Sequence, residues 1–409
     1  MAQRIAYIVS RFPKLSETFI LREMIALEKA GWEVCLYPII LEKTQVVHSE
    51  AEPWLKRLRY FPWLSGNVLG ANFRLFFKSP LKYLSLWMKV IFGNIKSLGF
   101  LARAVMLFPK AVLMAEDLAE KNVKHVHAHF ATHPAMAAWI IHQISGVSYS
   151  ITVHAHDIYV NRSMLEPKLR DASFIVAISN FNREFLAQHY GDWVREKIKI
   201  VHCGIDTQVY SGRSDALPED KKNIFVSIGS LQAYKGMRYL IEACSLLKER
   251  GLSFKCKIIG DGEERAFLND LVVRHGLERY VELVGAKKQN EVAQLLGEAY
   301  FYVQPSVITE TGKMEGIPVA MMEAMASKLP VIASNLSGIP ELIHHGETGY
   351  LVPPGESQPL ADAIEYVLSH PQEVSRIAEA GRVMVQTEFD IYKNVNQLAE
   401  LFSQKAGNN

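Results

Sequence analysis

Two series of short apolar segments, each alternating with amphipathic helical stretches, constrain the fold of this chain more than any other feature. The first series runs from Arg4 to about Asp206 and the second from Asn223 to about Asn335. Such alternation is typical of parallel sheets covered by helices on both faces. A polar, turn-rich segment at 211–222 separates the series and predicts a linker. The simplest architecture is therefore two Rossmann-like α/β domains in tandem.

The composition restricts the class of protein further. With 409 residues, 49% hydrophobic and 22% charged, and a net charge of +2, the chain has the composition of a folded globular protein and not of a disordered, collagenous or multi-span membrane chain. The four cysteines are scattered and form no C-x-x-C pair, which favours a reducing compartment and argues against a zinc ribbon. The N-terminal sequence MAQRIAYIVSRFPK lacks the pattern of a signal peptide, so we expect a cytoplasmic location.

Residues 53–115 differ from the rest of the chain in charge. They contain no Asp or Glu, but ten Lys or Arg and twelve aromatic residues. No uncharged run there approaches the ~20 residues that span a bilayer. Basic residues interleaved with aromatic ones predict helices that lie on an anionic membrane surface. The segment is too apolar for a groove that binds nucleic acid, and the alternative is a buried helical subdomain with a basic solvent face.

The first strand of the second series leads into a segment with the parts of an anion site. The sequence Gly229-Ser230-Leu231-Gln232-Ala233-Tyr234-Lys235-Gly236 precedes an amphipathic helix. Ligands of open α/β sheets bind at the carboxyl ends of strands, where this segment lies. Its spacing matches neither the dinucleotide motif nor the P-loop, yet a glycine turn, a lysine and a helix N-terminus together suit a diphosphate. A purely structural strand–turn–helix with an exposed lysine would have a similar sequence.

A pair of glutamates separated by seven intervening residues marks a second candidate segment. Pro318 suits the first turn of a helix, which predicts that Glu315 lies in the preceding loop and Glu323 within the helix. Glu323 is surrounded by Ala and Met residues, so its carboxylate needs hydrogen-bond donors to offset the cost of burial. The hydroxyl groups of a ligand would supply them, and an internal partner in a packed helix is the alternative.

Histidines cluster in the first series. His154 and His156 end a predicted strand, which places them at the ligand-binding edge of the sheet. His125, His127 and His129 share one face of their strand by the period of two. Zinc binding is one interpretation, but no acidic or cysteine ligand accompanies them at a recognised spacing. We therefore expect no metal, with most of these histidines hydrogen-bonded to backbone groups.

These segments together resemble the retaining glycosyltransferases of family 4, which have the GT-B fold of two facing Rossmann-like domains with parallel sheets. The Glu315/Glu323 pair is the most specific element of the resemblance, and the opening FPKLSETF and the HAHD sequence look most like bacterial exopolysaccharide and colanic-acid-type members. The matching segments are FPKLSETFI at 12–20, HVHAHFA at 125–131, TVHAHDIY at 152–159, VHCGID at 201–206, GSLQAYKG at 229–236 and EGIPVAMMEAMASKLPVIAS at 315–334.

The resemblance implies a division of the chain into parts with separate tasks. Residues 1–210 would form an N-terminal acceptor domain that carries a basic, aromatic helical insert at 45–118. Residues 223–387 would form the nucleotide-sugar-binding domain. Residues 388–409 would form a C-terminal helix that crosses back to the first domain.

It also implies roles for the donor site. Glu323 would hold the ribose hydroxyls of a nucleotide sugar, and Glu315 would face the donor sugar together with the amides of Gly316 and Ile317. Lys235 would contact the diphosphate and stabilise the departing phosphate, in the same turn as Gly229 and Ser230.

Four further positions follow from the family pattern, and one position departs from it. His154 would bind the donor sugar near the reaction centre, and Ser179 would lie near the donor. Ser16, a predicted helix N-cap, and Glu17 would lie on the acceptor side. The family often has Arg at the position of Ser230, so either backbone amides suffice there or another basic residue substitutes.

The function implied is retaining transfer of a hexose from a nucleotide-diphosphate sugar to a lipid-linked or oligosaccharide acceptor in cell-surface polysaccharide biosynthesis. It would take place at the inner face of the plasma membrane, without a cofactor, a metal ion or a nucleic-acid partner. A GT-B epimerase or phosphorylase is an alternative enzyme. A catalytically inert nucleotide-sugar-binding or scaffold protein of this fold is an alternative of another class.

Overall fold

A computed structural model describes residues 3–14, 17–42, 49–210, 221 and 223–406 of the chain. The chain divides into two compact units. The first comprises Met1–Ile178, Asn182–Val201 and Val395–Asn409, and the second comprises Ser179–Phe181 and His202–Asn394. Each unit contains one six-stranded sheet whose described strand pairs are all parallel, which confirms the two α/β sheets predicted from the alternation. The predicted linker lies outside the described residues except for Lys221.

The helices and strands follow the predicted alternation. Up to the end of the first sheet they are β1 (Gln3–Phe12), α1 (Thr18–Lys29), β2 (Trp32–Leu41), α2 (Glu52–Leu55), α3 (Gly66–Lys78), α4 (Pro80–Asn94), α5 (Leu98–Glu120), β3 (His125–His129), α6 (His133–Ser145), β4 (Ser148–Val153), α7 (His156–Tyr159), α8 (Leu165–Asp171), β5 (Phe174–Ala177), α9 (Asn180–Tyr190), α10 (Asp192–Lys197) and β6 (Ile198–Ile200). Thereafter they are β7 (Ile224–Ile228), α11 (Met237–Glu249), β8 (Lys255–Ile259), α12 (Arg265–Arg274), β9 (Val281–Gly285), α13 (Gln289–Glu298), β10 (Phe301–Gln304), α14 (Val319–Ala326), β11 (Val331–Ser334), α15 (Ile339–Leu342), β12 (Tyr350–Val352), α16 (Ser357–Ser369), α17 (Pro371–Glu388) and α18 (Ile391–Ala406).

Both sheets are doubly wound, and in each the direction in which successive strands are added to the sheet reverses once. The strand order is β2-β1-β3-β4-β5-β6 in the first unit and β12-β11-β10-β7-β8-β9 in the second. The chain therefore leaves β1 on one side and returns on the other as β3, and it does the same with β7 and β10. Such a reversal opens a crevice at the carboxyl ends of the two strands, where ligands of this class of sheet bind.

The central strands are apolar on both faces because helices cover both sides of each sheet. Ile5 through Val9 of β1 are buried, and Phe225 of β7 stacks on Phe301 of β10 with ring centroids 4.7 Å apart. Phe402 of α18 is fully buried in the first unit, where its ring contacts Tyr7 and His127.

Helices α2 to α5 form the insert that follows β2. The long helix α5 packs against α3, α4 and α6. It is the one helix in the described part of the chain whose length and composition would allow it to cross a membrane, with a mean hydropathy of 1.7 in its most apolar window. Since 56% of that window is buried inside the protein, α5 has the packing of a core helix.

The histidines of β3 are buried and hydrogen-bonded by side-chain hydroxyls of the neighbouring strand β4. His125 contacts the Oγ atoms of Ser148 and Ser150, and His127 contacts Ser150 Oγ and Thr152 Oγ1, at 2.7 to 2.9 Å. The expectation of backbone partners was therefore wrong for these two residues, because the parallel register places a hydroxyl of β4 beside each ring. Burial lowers the pKa of His125 to about 3 and that of His127 well below its usual value.

These buried neutral histidines make the fold sensitive to acid. Below pH ~6.5 the unfolded chain takes up protons on them while the folded chain does not, so we expect the free energy of unfolding to fall between pH 6.5 and 4. Each histidine contributes up to about 1.4 kcal/mol per pH unit in that window. Urea denaturation from pH 7.5 to 4.5 should show a steeper loss for the wild type than for His125→Gln. Equal slopes would contradict this assignment.

Candidate functional site

The candidate site of the second unit lies where its sheet reverses, at the carboxyl ends of β7 and β10. The first strand leads directly into the turn from Gly229 to Gly236, and the second leads into the loop that carries Glu315. The two segments selected from the sequence therefore meet at one edge of the sheet. This is the position at which a ligand of a doubly wound sheet is expected.

Glycines allow the strand-end segments to approach one another closely. Gly236 has a φ of +69°, and a Cβ atom there would lie 1.8 Å from the carbonyl oxygen of Pro305. A Cβ atom on Gly260, which follows β8, would lie 1.9 Å from the carbonyl oxygen of Gly229. Only glycine fits such contacts, so the backbone of the 229–236 turn is held between its two neighbouring loops.

Lys235 and Glu315 form a buried ion pair at this edge. Their side chains are only 13% and 12% exposed. Burial by itself lowers the pKa of Lys235, but the Glu315 carboxylate and Tyr234 outweigh it and raise the pKa above its ordinary value. The stem of Lys235 lies beside Gly229, where a Cβ atom would be 3.1 Å from the lysine Cδ and Cε atoms. Three residues predicted from sequence are thereby brought together.

Glu323 lies within α14, as the sequence predicted, while Pro318 is the N-cap of that helix and not its first residue. The glutamate is 9% exposed, and its Oε1 atom accepts a hydrogen bond of 2.6 Å from the hydroxyl of Tyr210. Gln289 Nε2 in turn donates to the Tyr210 hydroxyl at 3.4 Å. Part of the compensation for burying Glu323 is therefore internal, and its contact with a ribose stays a prediction.

The segment after Glu315 is held by a loop that follows β11. Ser337 Oγ donates to the carbonyl oxygens of Glu315 at 2.7 Å and of Gly316 at 3.1 Å. A Cβ atom on Gly338 would lie 2.9 Å from Ile317 Cγ1 and 3.0 Å from Ser179 Cβ. Ser179, which was assigned from sequence to the first domain, belongs to the second unit. It packs beside Gly338, which also lies next to Ile317. The roles of Gly316, Ile317 and Ser179 toward a donor stay predictions.

In the first unit, His154 follows β4 in a tightly hydrogen-bonded turn. The backbone N–H groups of His154 and Ala155 donate to Asp157 Oδ1 at 3.1 and 2.7 Å. The ring of His154 is buried, which lowers its pKa well below the usual value, and the neighbouring His129 and His156 lower it further. At neutral pH, His154 is therefore an uncharged imidazole held in a fixed loop.

A chain of hydrogen bonds that the sequence did not indicate connects His154 to Glu23. His154 Nε2 lies 3.3 Å from His129 Nδ1, and His129 Nε2 lies 3.0 Å from Glu23 Oε1. The hydroxyl of Tyr7 also donates to Glu23 Oε1 at 2.7 Å. Because the carboxylate accepts the proton of His129 Nε2, the Nδ1 atom of His129 accepts from His154 Nε2–H. This arrangement selects one tautomer of both rings.

Glu23 also belongs to the group in the described part of the chain that could hold a metal ion. The ligand atoms of Glu23, His127 and His129 lie within 4.8 Å of one another. All four ring nitrogens of the two histidines already have hydrogen-bond partners. A metal ion could bind here only by replacing those hydrogen bonds. The expectation of a metal-free protein stays a prediction.

The two predicted acceptor-side residues lie before α1. Ser16 is outside the described residues. Helix α1 begins at Thr18 with Glu17 at the N-cap position, so the predicted N-cap at Ser16 was wrong by one residue. Glu17 makes no side-chain cap and pairs instead with Lys14 Nζ at 2.6 Å. Its contact with an acceptor stays a prediction.

Comparison with known proteins agrees with this fold. The family described as "Glycosyl transferases group 1" matches residues 213–384, and "Glycosyltransferase Family 4" matches residues 88–209. The chain is 40% identical to the amylovoran biosynthesis glycosyltransferase AmsK of Erwinia amylovora over 212 residues, which span 52% of each protein. The chain thus aligns with only about half the length of AmsK.

Two further proteins match along nearly the whole chain. WcaL of Escherichia coli, named as a colanic acid biosynthesis glycosyltransferase, is 28% identical over 97% of this chain and 99% of its own length. The crystal structure of Anabaena HepE in complex with UDP superposes with a TM-score of 0.71 at 17% identity, covering 98% of this chain and all of HepE. At that identity the superposition shows the fold alone. The family matches and the shared fold show that the chain belongs to the glycosyltransferases of family 4 and has the GT-B fold, as the sequence resemblance implied.

Proposed function

We propose that the protein is a retaining hexosyltransferase that uses a nucleotide-diphosphate sugar in the biosynthesis of a cell-surface polysaccharide. The observation that carries the proposal is the Lys235–Glu315 pair at the switch point of the second sheet, with Glu323 on the following helix. A relative named for amylovoran biosynthesis and another named for colanic acid biosynthesis support the biological role. The acceptor we propose is a lipid-linked or oligosaccharide sugar.

The ion pair suggests how the donor is bound. A diphosphate offers Lys235 a doubly charged partner, and the charge-assisted bond to phosphate replaces the one to Glu315. The Glu315 carboxylate then accepts hydrogen bonds from hydroxyl groups of the donor sugar. Glu323 accepts from the ribose hydroxyls in the same way, alongside its bond from Tyr210.

The proposed reaction breaks the bond between the sugar C1 atom and the diphosphate oxygen and forms a bond between C1 and the acceptor oxygen. The departing phosphate takes the proton of the acceptor hydroxyl, so no separate general base is needed. Lys235 stabilises the negative charge that grows on the leaving phosphate. His154 contacts the donor sugar as a neutral imidazole, since its pKa lies well below the usual value.

Substitution of Glu323 should mainly affect nucleotide affinity, and substitution of Glu315 should mainly affect kcat. Glu323→Ala removes a ribose acceptor, so we expect the dissociation constant of the nucleotide to rise about tenfold with a smaller change in kcat. Glu315→Ala removes a contact to the reacting sugar, so we expect kcat to fall more than nucleotide affinity. Calorimetric titration and initial rates measure the two effects. Small, equal effects of both substitutions would contradict the assignment, and Glu282→Ala on β9 is the matched control.

The reaction should not require a divalent ion. The ammonium group of Lys235 and the N-terminus of α11 supply positive charge at the diphosphate position. We therefore expect full activity in EDTA and no stoichiometric zinc by elemental analysis of the purified protein. One equivalent of zinc, lost with activity on chelation, would instead assign the Glu23, His127 and His129 group as a metal site.

We also propose that residues 53–115 bind an anionic membrane surface on the cytoplasmic side, which would give access to a lipid-linked acceptor. Of the 22 large hydrophobic residues exposed in the described part of the chain, 14 lie in this segment. Helix α3 exposes Leu69, Phe73 and Phe77, which share one face by their spacing of four residues. Helix α4 exposes a second row, and we call the two rows together the apolar face. The row on α4 comprises Leu81, Leu84, Met88, Ile91 and Phe92.

The charges around the apolar face favour a membrane over a protein partner. Lys78, Lys89 and Lys96 are exposed on or beside the same helices, in a segment without any acidic residue. Each such lysine contributes about 1 kcal/mol to attraction by acidic headgroups. By contrast, Arg57 and Arg59 form ion pairs with Glu28 and Asp117, so they serve the fold first.

Membrane binding should depend on both the apolar face and the lysines. We expect the wild type to float with vesicles that contain phosphatidylglycerol at low salt, and to float less at high salt or with neutral vesicles. Phe73→Ser combined with Phe77→Ser should release the protein, while Phe267→Ser, at an exposed position of α12, should not. Lys78→Glu, Lys89→Glu and Lys96→Glu together should also release it. A wild type that ignores anionic vesicles at low salt would contradict the proposal.

A further inference from the structure

A second lysine, which the sequence motif does not include, lies beside the 229–236 turn of the second unit. Lys313 lies in the loop between β10 and α14, and its Nζ atom is 4.5 Å from the ring centroid of Tyr234. Lys235 Nζ is 5.4 Å from the same centroid. The two ammonium groups therefore lie within about 10 Å of each other, and each is attracted by the same ring.

The backbone at Lys313 is held by a closed turn. The N–H of Thr309 donates to the carbonyl oxygen of Lys313 at 2.9 Å, and the N–H of Lys313 donates to Thr309 Oγ1 at 3.0 Å. Gly312 within this turn has a φ of +77°. The side chain of Lys313 thus starts from a fixed position two residues before Glu315.

The Lys313 side chain reaches the turn that carries Lys235. Its Nζ atom donates to Gln232 Oε1 at 2.6 Å. Gln232 is a neutral amide, and none of the carboxylates that the structure describes forms an ion pair with Lys313. Lys235 and Lys313 against Glu315 leave one net positive charge at this turn.

We propose that Lys313 supplies the second cation of the diphosphate site, in place of the arginine that family members often have at the position of Ser230. This inference rests on the proposed function, because it assigns a residue to the donor site proposed there. In the ligand-free protein Gln232 holds the ammonium group. On binding, the phosphate oxygens replace the amide oxygen as its partner, since a charge-assisted bond is the stronger one.

The position of Lys313 also predicts how it can be replaced. Arginine at 313 keeps the charge, so Lys313→Arg should bind nucleoside diphosphates within about threefold of the wild type. Lys313→Met keeps the apolar stem over Tyr234 but loses the charge. Adding Ser230→Arg to Lys313→Met returns a cation at the family's usual position and should restore affinity.

Calorimetric titration with UDP, GDP, UMP and GMP tests the inference. For whichever diphosphate the wild type binds, we expect Lys313→Met to weaken binding about tenfold, and to weaken binding of the matching monophosphate less than twofold. The control is Lys255→Met, because Lys255 begins β8 and so lies at the amino-terminal end of that strand, whereas the 229–236 turn follows the carboxyl end of β7. Thermal unfolding by circular dichroism verifies that each variant is folded.

Three results would overturn the inference. Unchanged diphosphate affinity in Lys313→Met, together with a loss in Lys235→Met, would assign the diphosphate to Lys235 alone. Equal losses for the monophosphate and the diphosphate would mean that the substitution displaces the loop that carries Glu315. A wild type that binds neither UDP nor GDP would overturn the proposed nucleotide-sugar site, and this inference with it.

Discussion

The buried ion pair between Lys235 and Glu315 is the interaction on which the site of the second unit depends. It connects the turn after β7 to the loop after β10, the two strands between which the sheet reverses. Removal of one partner from such a pair leaves an uncompensated buried charge, at a cost of about 3–5 kcal/mol. In the proposed binding mode a phosphate replaces Glu315 as the partner of Lys235, and hydroxyl groups of the donor sugar replace Lys235 as the partner of Glu315, so neither charge would be left without a partner. The ion pair therefore holds both side chains at the site, and each could exchange its partner for a ligand group.

In the first unit the electrostatic cost to be offset is that of burying histidine side chains. The histidines at 125, 127, 129 and 154 are buried, where a charged imidazole would be costly, and burial lowers the pKa values of His125, His127 and His154. Hydroxyl groups of β4 hydrogen-bond the ring nitrogens of His125 and His127, and the carboxylate of Glu23 accepts from His129 Nε2–H. The result is a neutral imidazole at His154 whose tautomer is set by His129 behind it, which suits a group that binds an uncharged sugar.

Positive charge is distributed between the units according to the kind of anion that each is proposed to meet. In 53–115 Lys78, Lys89 and Lys96 are exposed and interleaved with exposed aromatic residues, an arrangement that suits a broad, mobile layer of headgroups. In the second unit Lys235 and Lys313 are held by Glu315, Gln232 and the ring of Tyr234, an arrangement that suits one small, fixed anion. The near-neutral total charge of the chain conceals both features.

The sequence by itself determined the class of fold and the segments of the site. Apolar runs that are buried on both faces predict parallel strands, and a lysine after a strand or a glutamate in an apolar helix predicts a ligand contact from local pattern alone. The tertiary structure decided which side chains meet. Tyr210 lies 113 positions from Glu323, Gln232 lies 81 from Lys313, and Glu23 lies 106 from His129. Such pairs leave no mark on local periodicity, because the folding of the chain, and not the order of residues along it, brings their side chains together.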